Sequence, residues 1–194
     1  MAAVIEPTMR YHESGIVGAG PALWYGSDAP DGDRAPWVSA PVGSRYYRRA
    51  GTGGIWYEKV SAGALDGDWR PVGGAIRQVV SYADFTDGGS VAGTLNLTYG
   101  IPVGATVVRT FLQALVGFTG DTSCTLIVGD GSDTDRYMTG TPSIFATASG
   151  ETDLGAISGT AYHTAAKTVT LTATSGSDWG AVTAGSFVIV IVLG

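Results

Sequence analysis

The feature that most constrains this chain is a set of four strongly apolar runs of strand length, each bounded by glycine or polar turn residues. Gly104–Phe118 is the longest, with Val107, Val108, Phe111, Leu112, Leu115, Val116 and Phe118, and it follows a Pro-Val-Gly turn. Thr122–Val128 lies across a Gly120-Asp121 turn, and Thr168–Ala173 and Phe187–Leu193 come later. β-Branched and aromatic residues dominate these runs, as a pleated, packed surface favours. Thr168–Ala173 alternates with Val169, Leu171 and Ala173 on one face, the pattern of a half-buried strand. Phe187–Leu193 is apolar without alternation, so it is expected at the centre of a sheet or sealed against another surface. Thr94–Tyr99 adds a further half-buried strand through Leu95 and Leu97, and Ala75–Phe85 is read as a strand. The central run places apolar residues on both faces, interrupted on one of them by Arg109 and Gln113. Glu151–Thr160 is rich in Gly, Ser and Thr and reads as a long loop. Residues 75–194 thus predict about eight strands and no helix, the pattern of an antiparallel β sandwich of jelly-roll type.

Composition agrees with an all-β chain. Of 194 residues, 30 are glycine without period, which excludes collagen and supplies turns. Charged residues make up only 14%, below the usual quarter, which suggests that other chains cover part of the surface. Net charge is −6, and nine of the 17 acidic residues against four of the 11 basic ones fall in 75–194. An acidic globular part argues against a nucleic-acid partner, which calls for Lys and Arg on phosphates. The start of the chain has no basic segment followed by an apolar one, so no secretory signal is expected, and no run approaches membrane-spanning length. No membrane partner is expected, and synthesis and folding are expected in a cytoplasm.

Ahead of the sandwich the character changes. Residues 1–22 show no periodicity and are punctuated by Pro7, Gly15, Gly18, Gly20 and Pro21, which reads as an extended N-terminal arm. Residues 23–74 hold four of the five tryptophans, Trp24, Trp37, Trp56 and Trp69. Arg45-Tyr46-Tyr47-Arg48-Arg49, a Gly-rich turn at 50–54 and Ile55–Val60 predict a β-hairpin, with Asp68–Val72 able to pair beside it. As a strand, the first segment puts Arg45, Tyr47 and Arg49 on one face and Tyr46 and Arg48 on the other. A lone hairpin of this size is marginal in water and needs a surface to pack on.

The order Gly26-Ser27…Ala29-Pro30, Ala40-Pro41…Gly43-Ser44, Tyr46 and Tyr47 with Arg48, Gly51-Thr52-Gly53-Gly54-Ile55-Trp56, Glu58-Lys59 and Asp68-Trp69-Arg70-Pro71-Val72-Gly73 resembles a small β module of tailed-bacteriophage virion proteins. Such modules occur in capsid decoration proteins, head fibres and tail fibres, upstream of a trimerising β domain. The Tyr46-Tyr47 pair and the Arg48-Arg49 pair depart from the family pattern, which carries one aromatic there. The resemblance covers roughly residues 26–73. It implies a non-enzymatic virion structural protein, a homotrimer, capsid or tail proteins as partners, and no catalytic residues or cofactor. Trp24, Trp37, Tyr46, Tyr47, Arg48, Arg49, Trp56 and Trp69 are the docking candidates. The absence of heptads or collagen-like triplets favours a decoration or head-fibre role over a long tail fibre.

Three patterns admit a chemical reading beside a plainer one. Asp130, Asp133 and Asp135 could converge on a hard cation such as calcium, but they lack EF-hand spacing, and a solvated turn with an Arg136 ion pair is favoured. Trp179 is the candidate for stacking on a host-surface glycan, which would make the chain a carbohydrate- or receptor-binding module; a loop tryptophan capping the core is the plainer reading. The Arg45–Arg49 cluster mixes cations and aromatics as single-strand platforms do, yet arginines bridging to acidic neighbours suit it better. His12 and His163 have no cysteine near them in sequence and make no zinc pattern, and no nucleophile elbow is present. Cys124, in a strand, reads as a buried core residue.

Overall fold

The computed structural model describes residues 23–26, 40–50, 52–62 and 68–194. Among these residues there are eleven strands and no α-helix. In chain order they are β1 (Leu23–Gly26), β2 (Arg45–Ala50), β3 (Gly53–Lys59), β4 (Trp69–Ser81), β5 (Thr86–Asp87), β6 (Ala92–Asn96), β7 (Val107–Thr119), β8 (Cys124–Gly129), β9 (Ser149–Asp153), β10 (Thr170–Ser175) and β11 (Ala184–Leu193). One sheet has the order β1-β2-β3-β4-β11-β7-β9 and the other β5-β6-β10-β8. All pairings between these strands are antiparallel except β1 with β2.

The expected all-β sandwich is present, and its order is that of a jelly roll. β4-β11-β7-β9 forms one wall. The other is β6-β10-β8, extended by a segment at Ser143 that bridges Thr125 of β8. Ile144 donates its N–H to Cys124 O at 2.9 Å, and Phe118 donates to Ile144 O at 2.7 Å, so this segment ties the two walls together. β11 lies inside its sheet, between β4 and β7, where an apolar strand without alternation belongs. Its inward residues Phe187, Ile189, Ile191 and Leu193 meet Leu126 and Val128 of β8 and Leu171 and Ala173 of β10 in one core. Each such buried side chain contributes roughly 1.5–3 kcal/mol. Phe85, Phe118, Phe187 and Trp179 form an aromatic cluster at one end, with ring centroids 5.1–6.3 Å apart.

β7 keeps its alternation by bulging. Leu112 and Leu115 are both buried, although an odd spacing would send one of them outward. Ala114, at φ 49, is the extra residue that returns Leu115 to the core and Val116 to the outer face. Glu151–Asp153, read from sequence as loop, is part of β9, pairing with Phe111–Gln113. Its polar composition suits an edge strand.

The aromatic hairpin is continuous with the sandwich. β4 is shared: its residues up to Ala75 pair with β3, and its residues from Gly74 onward pair with β11. Gly74 is paired on both sides, with Ile55 and with Leu193. It has φ +130, and a Cβ there would meet Gly54 O at 2.2 Å. Only glycine satisfies both conditions. The hairpin turn is also anchored, with Thr52 N donating to Arg77 O at 3.0 Å. Gly74→Ala is therefore expected to destabilise the fold by about 1–3 kcal/mol. Gly131→Ala, at a site with open space and no positive φ, should change stability by less than about 0.5 kcal/mol. Urea unfolding of the two variants against the parent checks the contrast.

Candidate functional site

Three places could carry function: the aromatic hairpin, the outer face of the large sheet, and a buried polar cluster at one end of the sandwich.

In the hairpin, register sets which aromatics face the core. Tyr46 lies opposite Tyr57 and Tyr47 opposite Trp56. Tyr46, Tyr57 and Trp69 point inward and are buried, with ring centroids 6.2 and 6.4 Å from Tyr46. Lys59, also buried, lies over the Trp69 ring at 5.7 Å. Arg48 shares the inner side, its guanidinium 5.6 Å from the Tyr99 ring centroid. Tyr47 and Trp56 pack together on the other face at 4.8 Å and stay half-buried, and Arg49 is exposed. As a correction to the expected docking set, Tyr46 and Trp69 spend their aromatic surface inside the chain and offer none to a partner. Trp24 lies in β1, its backbone in register with Tyr46, and Trp37 lies outside the described residues.

The outer face of β4-β11-β7-β9 is unusual for a sheet with one wall toward solvent. Val79 of β4 is 61% exposed, and Val108 and Val116 of β7 are each 58% exposed. Val188 and Val192 of β11 lie between them and are half-buried. The polar residues that interrupt this strip are paired within the chain. Arg77 donates to Gln113 Oε1 at 2.5 Å, crossing β11 above Val190, which is 1% exposed. Arg109 stacks on the Phe111 ring at 4.6 Å and donates to Glu151 Oε1 at 2.9 Å and Asp153 Oδ2 at 3.1 Å. The alternation Glu151-x-Asp153 was the available sequence signal that both carboxylates share one face. It was masked by the Gly/Ser/Thr-rich residues that follow.

The opposite outer face, on β6-β10-β8, obeys the usual rule. Thr94, Asn96, Thr170, Thr172, Thr174 and Thr125 point outward there, and Thr170 Oγ1 donates to Asn96 Oδ1 at 2.8 Å.

The polar cluster centres on Asp130, 2% exposed. Its Oδ1 accepts from Ser132 N at 2.9 Å, Ser132 Oγ at 2.7 Å and Asp133 N at 2.9 Å. Its Oδ2 faces Arg136 Nε at 2.9 Å and Lys167 Nζ at 3.3 Å. The Arg136 approach is an ion pair whose angle falls outside hydrogen-bond geometry. Burial by itself would raise the Asp130 carboxyl, but the Ser132 donors, Lys167 and Arg136 outweigh it and hold the group well below the usual carboxylate range. Asp133 reaches the same arginine at 3.6 Å, and Asp135 is exposed. Asp130 and Asp133 thus both turn toward the Arg136 guanidinium, and Asp135 stands apart from them at the surface. Among the described residues no group of three His, Cys, Asp or Glu side chains is placed to hold a metal. Lys167 and His163 complete the cluster, and no local sequence pattern links either to Asp130. His163 packs edge-on against buried Tyr137 at 5.6 Å, with its Nε2 buried and unpartnered.

Trp179 is 4% exposed, its indole lying against Gly93 so closely that a Cβ there would sit 2.3 Å from the ring. As a correction to the glycan reading, neither ring face is open to a pyranose; the residue caps the aromatic end of the core. Burial and the nearby Asp121 push the Cys124 thiol up to about 11, consistent with an inert core residue.

Among solved structures the chain is similar to a chain of the cyanophage Pam1 capsid asymmetric unit, at 20% identity over 61% of this chain and 84% of that one, with a TM-score of 0.36. At that score the likeness carries no argument. No family model and no curated protein matches the chain. Among the described residues no helix is long and apolar enough to cross a membrane.

Two outcomes follow from the polar cluster. Asp130→Asn leaves Arg136 and Lys167 facing a neutral amide in a largely buried site and is expected to cost about 2–4 kcal/mol in thermal or urea unfolding. Burial first, then Arg136 and Lys167, lower the His163 pKa below its ordinary 6.5, against the opposing pull of Asp130. The unfolded chain therefore binds a proton at His163 at a higher pH than the folded one. Stability from this group is full above about 6.5 and falls as pH drops below it. Melting temperature should decline between pH 7 and 5, and the decline should flatten in His163→Phe.

Proposed function

We propose that this chain is a non-enzymatic structural protein of a tailed-phage virion, a capsid decoration or short head fibre, acting as a homotrimer. Its place is the virion, and its partners are capsid or tail proteins. The observation that carries the reading is the continuity of β4. A hairpin module whose motif order resembles virion docking modules passes without a break into a jelly roll. Docking element and projecting domain are then one rigid unit, so a contact made at Tyr47, Trp56 and Arg49 fixes the orientation of the sandwich on the particle. Jelly rolls serve in capsids and in lectins alike, so the fold alone does not choose between adhesion to a particle and adhesion to a sugar. Trp179, on which the sugar reading rested, is 4% exposed, which supports adhesion to a particle over adhesion to a sugar. The work of such a protein is cohesion: burial of apolar and aromatic surface between chains, with a polar rim.

Gold-labelled antibody raised against the chain should mark the heads of intact virions of the phage that encodes it. Purified virions whose mass spectra contain no peptide of the chain would sink the proposal. A Trp56→Ala variant is expected to weaken attachment to particles at least tenfold while keeping its far-ultraviolet circular dichroism, because aromatic anchors dominate interface energy.

A further inference from the structure

We propose that the outer face of β4-β11-β7-β9 packs against a second copy of this chain. This supplies the surface for the self-association included in the reading above, and it rests on separate observations.

The two outer faces of the sandwich differ in kind. The Thr-rich face is what water calls for on an antiparallel sheet. The other presents Val79, Val188 and Val116 together and Val192 and Val108 further along, on three neighbouring strands, with the Arg77–Gln113 bridge between the two groups. Exposed apolar side chains gathered on one sheet face mark an interaction site. The polar groups inside the strip fix the kind of partner. Of its two guanidinium groups, Arg77 donates to the neutral Gln113 amide and Arg109 is paired with both Glu151 and Asp153, so the four charges sum to zero across the face. The strip is electrically neutral and demands no charge from its partner. A phosphate backbone or an anionic lipid surface calls for several clustered cations, whereas Arg77 here is held by Gln113 and Arg109 by two carboxylates. The chain as a whole carries −6, so two copies repel over most of their surface. The neutral valine strip is where they approach without that penalty. Rows of β-branched side chains on a twisted sheet pack against the surface of a neighbouring chain at the sheet-to-sheet spacing of about 10 Å. β9, with Glu151 and Asp153, stands at the edge of this face as a polar rim and blocks edge-to-edge growth.

The test is sedimentation equilibrium of the full chain over a range of concentrations, for the parent, for Val79→Asp/Val116→Asp, and for Thr172→Asp on the opposite face. Circular dichroism verifies that each is folded. The parent should sediment at a multiple of 19.8 kDa, the valine variant at 19.8 kDa, and the threonine variant like the parent. If the aspartates prevent folding, the isosteric Val79→Thr/Val116→Thr pair should still weaken association at least tenfold. A parent that stays monomeric at its highest soluble concentration overturns the proposal and assigns the strip to a different partner. A multimer untouched by the valine changes overturns it too, by placing the interface elsewhere. A self-associating chain that is missing from virions would sink the virion reading alone, and a monomer found on virions would sink this one alone.

Discussion

The pairing of β11 on both sides is the constraint on which the rest of the molecule depends. β11 holds β4 along one edge and β7 along the other, and its four inward side chains sit at the centre of the core. Because β4 runs on past the end of β11 into the hairpin, the same ladder that closes the sandwich also fixes the aromatic module. Gly74 is the point where the two pairings overlap, and its missing side chain is what allows three backbones to approach there. No flexible linker separates the two parts, so a load on the hairpin passes directly into the sheet.

The distribution of polar groups divides the molecule into surfaces with different tasks. On the large sheet's outer face, Arg77 reaches across β11 to Gln113 of β7, and Arg109 pairs with Glu151 and Asp153 of the adjacent β9. At the end where Asp130 lies, an ionised carboxylate is buried because five donors and cations surround it. That cluster joins the loop after β8 to the segment before β10. The segment is also held to the chain entering β7, through Gly104 N to His163 O at 2.7 Å and Lys167 N to Ile101 O at 2.9 Å. Three loops that would otherwise be loose are thereby held as one. A structural use for Asp130 accounts for its burial: Arg136 and Lys167 meet its charge, and Asp133 shares Arg136.

The aromatics follow the same logic. Of the four tryptophans with described positions, Trp69 and Trp179 are core, Trp56 is half-buried against Tyr47, and Trp24 belongs to the edge strand β1. A tryptophan in a loop or hairpin looks available in sequence. Here a glycine on a facing strand decides otherwise for Trp179, since Gly93 leaves space for the indole to lie flat on the sheet. Outside the core, the Tyr47–Trp56 pair and the valines on the large sheet's outer face keep aromatic and apolar surface toward solvent.

The sequence by itself determined the all-β class, the hairpin at Arg45–Lys59 and the apolar character of both faces of β11, which called for a place inside a sheet or against another surface. Local side-chain period and turn chemistry are properties of neighbouring residues, and they are legible wherever one face is buried and the other wet. The face partition of Arg45–Arg49 followed from the same period. Tertiary structure alone decided what depends on residues far apart in the chain. The bulge at Ala114 cannot be read from a run in which nearly every residue is apolar, because no alternation marks the slip. The strand character of Glu151–Asp153 comes from the open edge of β7, which accepts a polar partner of weak intrinsic preference. Asp130 with Lys167, Arg77 with Gln113, and Gly93 beneath Trp179 are pairs made by sheet order, and sheet order is set by how the whole core closes.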